Sequence, residues 1–193
     1  MFNAFLKITG YLILSVLFFG CGSTTIKYLN PTANFSYVKK VAVVPFSNFS
    51  DDRYAAEKVR NALTIELLSR QAFDVIEHGE VSNALNLIKE VGFEENKNIH
   101  FDKETIKLIA GKLGVQAIIM GAVNDYTGGK GGFSNNVVSI SVKMIDSESG
   151  TVLWQASTSK VGGGVTRKIL GLEDVEMSIL TNRAVKTVLD TLL

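Results

Sequence analysis

The chain has 193 residues, a formal net charge of +1, 46% hydrophobic residues and one cysteine. A lone cysteine excludes an intramolecular disulfide and any all-thiolate metal site. The balanced charge gives no reason to expect nucleic acid as a partner, and the length suits one domain with a sizeable core.

Lys7 and the free amino terminus precede an apolar run, Ile8 to Phe19. A membrane-spanning helix needs about 20 apolar residues, so this run fits the core of a signal peptide. The small Gly20 followed by Cys21 resembles the lipobox of bacterial lipoproteins. That resemblance implies a signal peptide over residues 1–20, cleavage between Gly20 and Cys21, and lipidation at Cys21. Two or three acyl chains would hold the protein firmly, whereas one gives only marginal, reversible binding. Gly22 stands where an aspartate retains such lipoproteins in the inner membrane, so the resemblance implies the outer membrane and its periplasmic face. Residues 21–37, with Pro31 and no sustained periodicity, read as a lipidated amino terminus and polar tether, and residues 38–193 as the domain.

Residues 38–46, VKKVAVVPF, are β-branched and apolar and predict a buried strand ended by Pro45. Ser50 or Asp51 is the expected cap of a helix over 52–70, on which Ala55, Val59, Ala62, Leu63 and Leu67 form one stripe. Residues 73–78 read as a short strand ending at His78. Val81, Ala84, Leu85, Ile88 and Val91 mark a second helix closed by Gly92, and residues 93–101 a polar connector. Ile106, Ile109, Ala110 and Leu113 give a third helix with Gly114 in the C-cap position. Residues 115–123 predict a central strand and the glycine-rich stretch 124–136 a loop. Val138, Ile140, Val142 and Met144 then alternate with Ser139, Ser141 and Lys143, the pattern of a half-buried antiparallel strand. A turn at 146–151 leads to a partner strand bearing Val152, Trp154 and Ala156. A second glycine-rich loop, 161–171, precedes a helix over 172–193 with Val175, Ile179, Ala184, Val188 and Leu192 as apolar positions. The order is that of a single α/β domain with a mixed sheet packed by helices.

No catalytic pattern stands out. His78 lies in EHGE, which lacks the second histidine of a helical zinc site, and His100 sits in a polar connector. No serine occupies a G-x-S-x-G elbow. GGKGG (128–132, with Lys130) and AGKLG (110–114) both lack the spacing of a phosphate loop, and the former lies between strands with no helix start to aim amides at a phosphate. Among the acid pairs, Asp51–Asp52 and Glu173–Asp174 fall at helix starts, where the dipole favours them, and Glu94–Glu95 falls in a connector. No enzyme, cofactor or metal is expected.

Three stretches together resemble the CsgG/HfaB family of bacterial outer-membrane lipoproteins: KKVAVVPFSNFSDD, GVQAIIMGAVNDY and VSISVKMIDSESGTVLWQASTSK. The last, a hairpin with Asp146 and a Ser149–Gly150 turn, is shared with related periplasmic lipoproteins, including the LpoB-type activators of peptidoglycan synthases. The resemblance implies an α/β periplasmic domain, and in the curli-type channels a ring of lipidated subunits that each add two hairpins to a barrel. Such a hairpin needs roughly twenty alternating residues. The loop at 124–136 is too short for that, and the one at 161–171 carries Arg167 and Lys168 beside glycines. The reading is therefore a lipid-anchored, non-enzymatic accessory protein that binds envelope proteins in a CsgG-like secretion or curli-type assembly system. Its partners would be the membrane, other envelope proteins and further copies of itself. The alternatives are an oligomeric CsgG-like channel and an LpoB-like activator of a peptidoglycan synthase.

Overall fold

In a computed structural model, residues 24–87, 101–129, 135–163 and 174–193 are described. The expected signal peptide over residues 1–20, Cys21, His100, Lys130, Arg167 and Lys168 lie outside them, as does the expected end of the second helix at Gly92. The strands are β1 (Thr25–Leu29), β2 (Lys40–Val43), β3 (Ser47–Asn48), β4 (Asp74–Val75), β5 (Ala117–Thr127), β6 (Val137–Asp146) and β7 (Val152–Val161). The helices are α1 (Ala55–Arg70), α2 (His78–Leu87), α3 (Lys103–Leu113) and α4 (Met177–Leu189), with a 3-10 turn at Phe35–Tyr37.

One mixed sheet runs β1-β7-β6-β5-β2-β4, with β3 paired to β5. β5, β6 and β7 form an antiparallel meander, whereas β2 lies parallel to β4 and β5. The expected alternation on β6 holds: Val138, Ile140, Val142 and Met144 are buried, and the serines and Lys143 between them are half-exposed.

The inward residues of the meander meet α1 and α4. Ala55, Val59, Leu63 and Leu67 of α1 repeat every four residues and are fully buried, as the stripe predicts. Leu180, Ala184, Val188 and Leu189 of α4 complete this core over Trp154. Ile179, an expected apolar position, is exposed instead. Arg70 joins the far ends of the two helices through Glu66 (2.9 Å) and Asp190 (2.7 Å).

On the opposite face, Val81 and Leu85 of α2 and Ile106, Ile109 and Ala110 of α3 pack on Ala42, Val44, Ile118 and Met120. Asp102 caps α3 by accepting from the Thr105 amide at 2.8 Å, and Gly114 ends it at φ 63°, a left-handed conformation that suits glycine.

Several boundaries differ from the sequence expectation. Residues 25–29, assigned there to the tether, are an edge strand paired with β7 from Thr25–Thr158 to Leu29–Trp154. β5 extends to Thr127, four residues into the expected loop. His78 opens α2 rather than ending a strand. Tyr54 precedes α1 with no side-chain cap; Asp52 accepts from the Tyr54 amide (2.8 Å), and neither Ser50 nor Asp51 caps the helix.

Candidate partner-binding surface

The two faces of the sheet are not covered alike. α2 and α3 lie over the β2–β5 half of the second face and reach β6 and β7 only near their shared turn, where Ile145 and Val152 join this core; the outward residues further along β6 and β7 lie outside it. The outward residues explain this: Ser139, Ser141 and Lys143 on β6 stand beside Gln155, Ser157 and Ser159 on β7. Polar side chains hydrogen-bond across the strands instead of accepting an apolar helix. Ser141 and Ser157 hydroxyls lie 2.6 Å apart, and Asn124 donates to Ser141 at 2.8 Å.

Where the helical layer stops, a groove of about 260 Å³ opens. Pro45 and Phe101 stand on its helix side; Met120, Ser141, Lys143 and Gln155 line its sheet side. Met120 pairs with Lys143, and Lys143 with Gln155, so one cross-strand row crosses the floor and ends at the exposed Tyr28 of β1. No hydrogen bond or ion pair engages the Lys143 or Gln155 side chain among the described residues. Donors held on a rigid sheet and not used internally are available to a partner.

A second, larger cleft of about 550 Å³ lies where α1 and α2 approach the ends of β2 and β3. Its polar groups serve the fold. The Arg60 guanidinium donates twice to the Val43 carbonyl, at 3.1 and 2.8 Å. Arg53 lies 4.5 Å above the Tyr54 ring. The His78 ring is 2.9 Å from the Thr64 hydroxyl; burial, aided by the Arg60 charge, holds its pKa below the ordinary histidine range. His78 thus ties the start of α2 to α1 through the Thr64 hydroxyl. Asp52 pairs with Lys58 at 2.8 Å, and Asp174 accepts from the Asn136 and Val175 amides, so these acids organise local backbone.

Among the described residues, no group of three or more His, Cys, Asp or Glu side chains is placed to hold a metal, and no helix is long and apolar enough to cross a membrane. The strands flanking the first glycine-rich stretch belong to the sheet: Val123 and Tyr126 on β5, with Val138 and Ile140 on β6, are buried in the core beneath α1 and α4. A hairpin leaving to line a pore would uncover that core. The groove itself was not legible in the sequence; its one sequence signal is the polar half of the β6 alternation.

The fold is shared with solved proteins. PelC from Paraburkholderia phytofirmans, solved as a dodecamer, superposes with a TM-score of 0.60 at 17% identity, covering 89% of this chain and 97% of that chain. Lipoprotein GNA1162 from Neisseria meningitidis gives 0.52 at 20% identity, over 79% of this chain and 99% of its own. Hypothetical protein CT253 from Chlamydia trachomatis gives 0.51 at 12% identity, over 80% and 95%. At these identities the likeness is one of fold. No curated protein sequence matches the chain. The family model of the peptidoglycan-synthase activator LpoB matches residues 27–159, from β1 almost to the end of β7. The CsgG/HfaB expectation gives way to this match, because the hairpin that carried it lies inside the matched region. Matched over more than half its length and through every strand of its sheet, the chain belongs to the family of the peptidoglycan-synthase activator LpoB.

Proposed function

We propose that this chain is a lipid-anchored, non-enzymatic regulator that binds a peptidoglycan synthase from the periplasmic face of the outer membrane. The family match over residues 27–159 carries the reading. It spans the strands that build the groove and excludes α4, which supports a contact on the meander or on α1 to α3 over one on α4. Lys143 and Gln155 supply the contact: a cation and an amide, half-exposed or exposed, on a floor fixed by strand pairing. Cys21, preceded by Gly20, supplies the anchor through its lipobox. The protein would change the synthase by differential binding to its active conformation, since a ligand shifts an equilibrium only by its difference in affinity for the two states.

The test is polymerisation of lipid-linked disaccharide-peptide by bifunctional synthases of the same organism, with and without the full-length lipoprotein in detergent. A raised rate with saturable binding is expected. No binding to any of these synthases at micromolar concentration would sink the reading.

A further inference from the structure

The anchor and the strand register together set how the domain stands on the membrane. Only Gly22, Ser23 and Thr24 separate Cys21 from Thr25, the first residue of β1. Four residue steps span at most about 14 Å. Thr25 pairs with Thr158, Thr158 with Ile140, and Ile140 with Val123, and the Phe49 amide donates to the Val123 carbonyl at 2.9 Å. The start of β1 is thus level with the loop after β3. Beyond this row the hairpin strands rise to Thr127, Val137 and Val161, about 10 Å further at three residue steps. An acylated Cys21 lies at the headgroup level, so the strand tips come within a few ångströms of it.

The same end carries exposed apolar and aromatic groups: Phe49 (57%), Tyr54 (50%) and Val161 (56%). Tyr54 precedes α1, whose Lys58 lies 5.3 Å from the ring of Tyr126 near the tip of β5. Aromatic rings with a polar edge suit the headgroup region. Among the described residues the charge there is mixed, with Asp51 and Asp52 beside Arg53 and Lys58, so the contact rests on the short anchor and the exposed apolar groups.

Resting on the lipid-anchor reading above, we propose that the sheet end bearing Phe49, Tyr54 and Val161 lies on the surface of the bilayer that holds Cys21. The groove then opens sideways, parallel to the membrane, and its partner must come to the membrane surface to be bound.

Full-length acylated protein with one added cysteine (Phe49→Cys, Val161→Cys, Tyr28→Cys or Glu148→Cys) would carry a fluorophore in phosphatidylethanolamine–phosphatidylglycerol vesicles containing headgroup-quencher lipid. Glu148 is in the β6–β7 turn, about 30 Å of strand from Val161, so quenching should be about tenfold stronger at Val161 and Phe49 than at Glu148. Tyr28 should fall between them. A flexible Gly-Ser insertion of about twelve residues after Ser23 should erase the difference, and phosphatidylcholine vesicles should preserve it. The emission of Trp154 reports that each variant is folded. Equal quenching at all four positions, or the strongest at Tyr28, would overturn the orientation while acylated Cys21 in the mass spectrum kept the anchor. No acyl mass on Cys21 would overturn both.

Discussion

The Tyr37 hydroxyl donates to Asp146 Oδ1 at 2.7 Å, joining residues 109 positions apart. Asp146 ends β6, and its other oxygen accepts from the Ser149 amide (2.8 Å) and hydroxyl (2.5 Å), so one carboxylate shapes the β6–β7 turn and fastens the 3-10 turn that follows β1. Burial opposes its charge, yet the donors from Ser149 and Tyr37 outweigh burial and hold its pKa below the ordinary aspartate value. The Tyr37 phenol is pushed up to about 12, by burial first and then by the hydrogen bond to Asp146.

Both shifts make stability pH-dependent in predictable windows. The lowered Asp146 value contributes stability that is present above about pH 4 and lost as pH falls through the folded pKa. The raised Tyr37 value contributes stability that is present below pH 10 and lost as pH rises toward about 12. Tyr37→Phe should cost about 1 kcal/mol at neutral pH and flatten the alkaline limb of a Tm–pH curve. An unchanged alkaline limb would show that the phenol is not the group responsible.

Gly121 on β5 has no room for a side chain. A Cβ there would lie 2.6 Å from the ring of Phe46, which is itself buried. Gly121→Ala should destabilise the domain by about 1–3 kcal/mol through overpacking, read as a lower denaturation midpoint at unchanged m-value. A neutral outcome would mean that Phe46 can turn aside.

Trp154 is the chain's one tryptophan and is fully buried; its indole N–H donates to the Thr191 hydroxyl at 2.9 Å, tying β7 to the exit of α4. Thr191→Val leaves that donor without a partner and should cost about 1–3 kcal/mol, with native emission still that of a buried indole. Red-shifted native emission would instead place the ring in solvent.

Lys143→Glu should leave the melting temperature unchanged, because no described residue depends on that side chain. It should weaken synthase binding about tenfold, and Arg53→Glu in the larger cleft should weaken it far less. The reverse ranking would move the contact surface to the cleft.

Deleting residues 24–29 should lower the melting temperature, since β1 covers the outer edge of β7 through a five-residue register. Were these residues a tether, the deletion would leave stability unchanged.

The sequence by itself determined what depends on local periodicity and local backbone chemistry. The four-residue spacing of Ala55, Val59, Leu63 and Leu67 placed α1, the alternation from Val138 to Met144 placed β6, and Gly114 marked the end of α3, because each signal is complete within one element. Tertiary structure decided the rest. TIKYL is too short and too mixed to declare itself; it is a strand because β7, more than 120 residues later in the chain, offers it an unpaired edge. The groove likewise exists only because α3 stops over β5 while Lys143 and Gln155 meet across β6 and β7. Hydrogen-bond partners and bare surface are relations between distant segments, and they take form only once the chain has closed on itself.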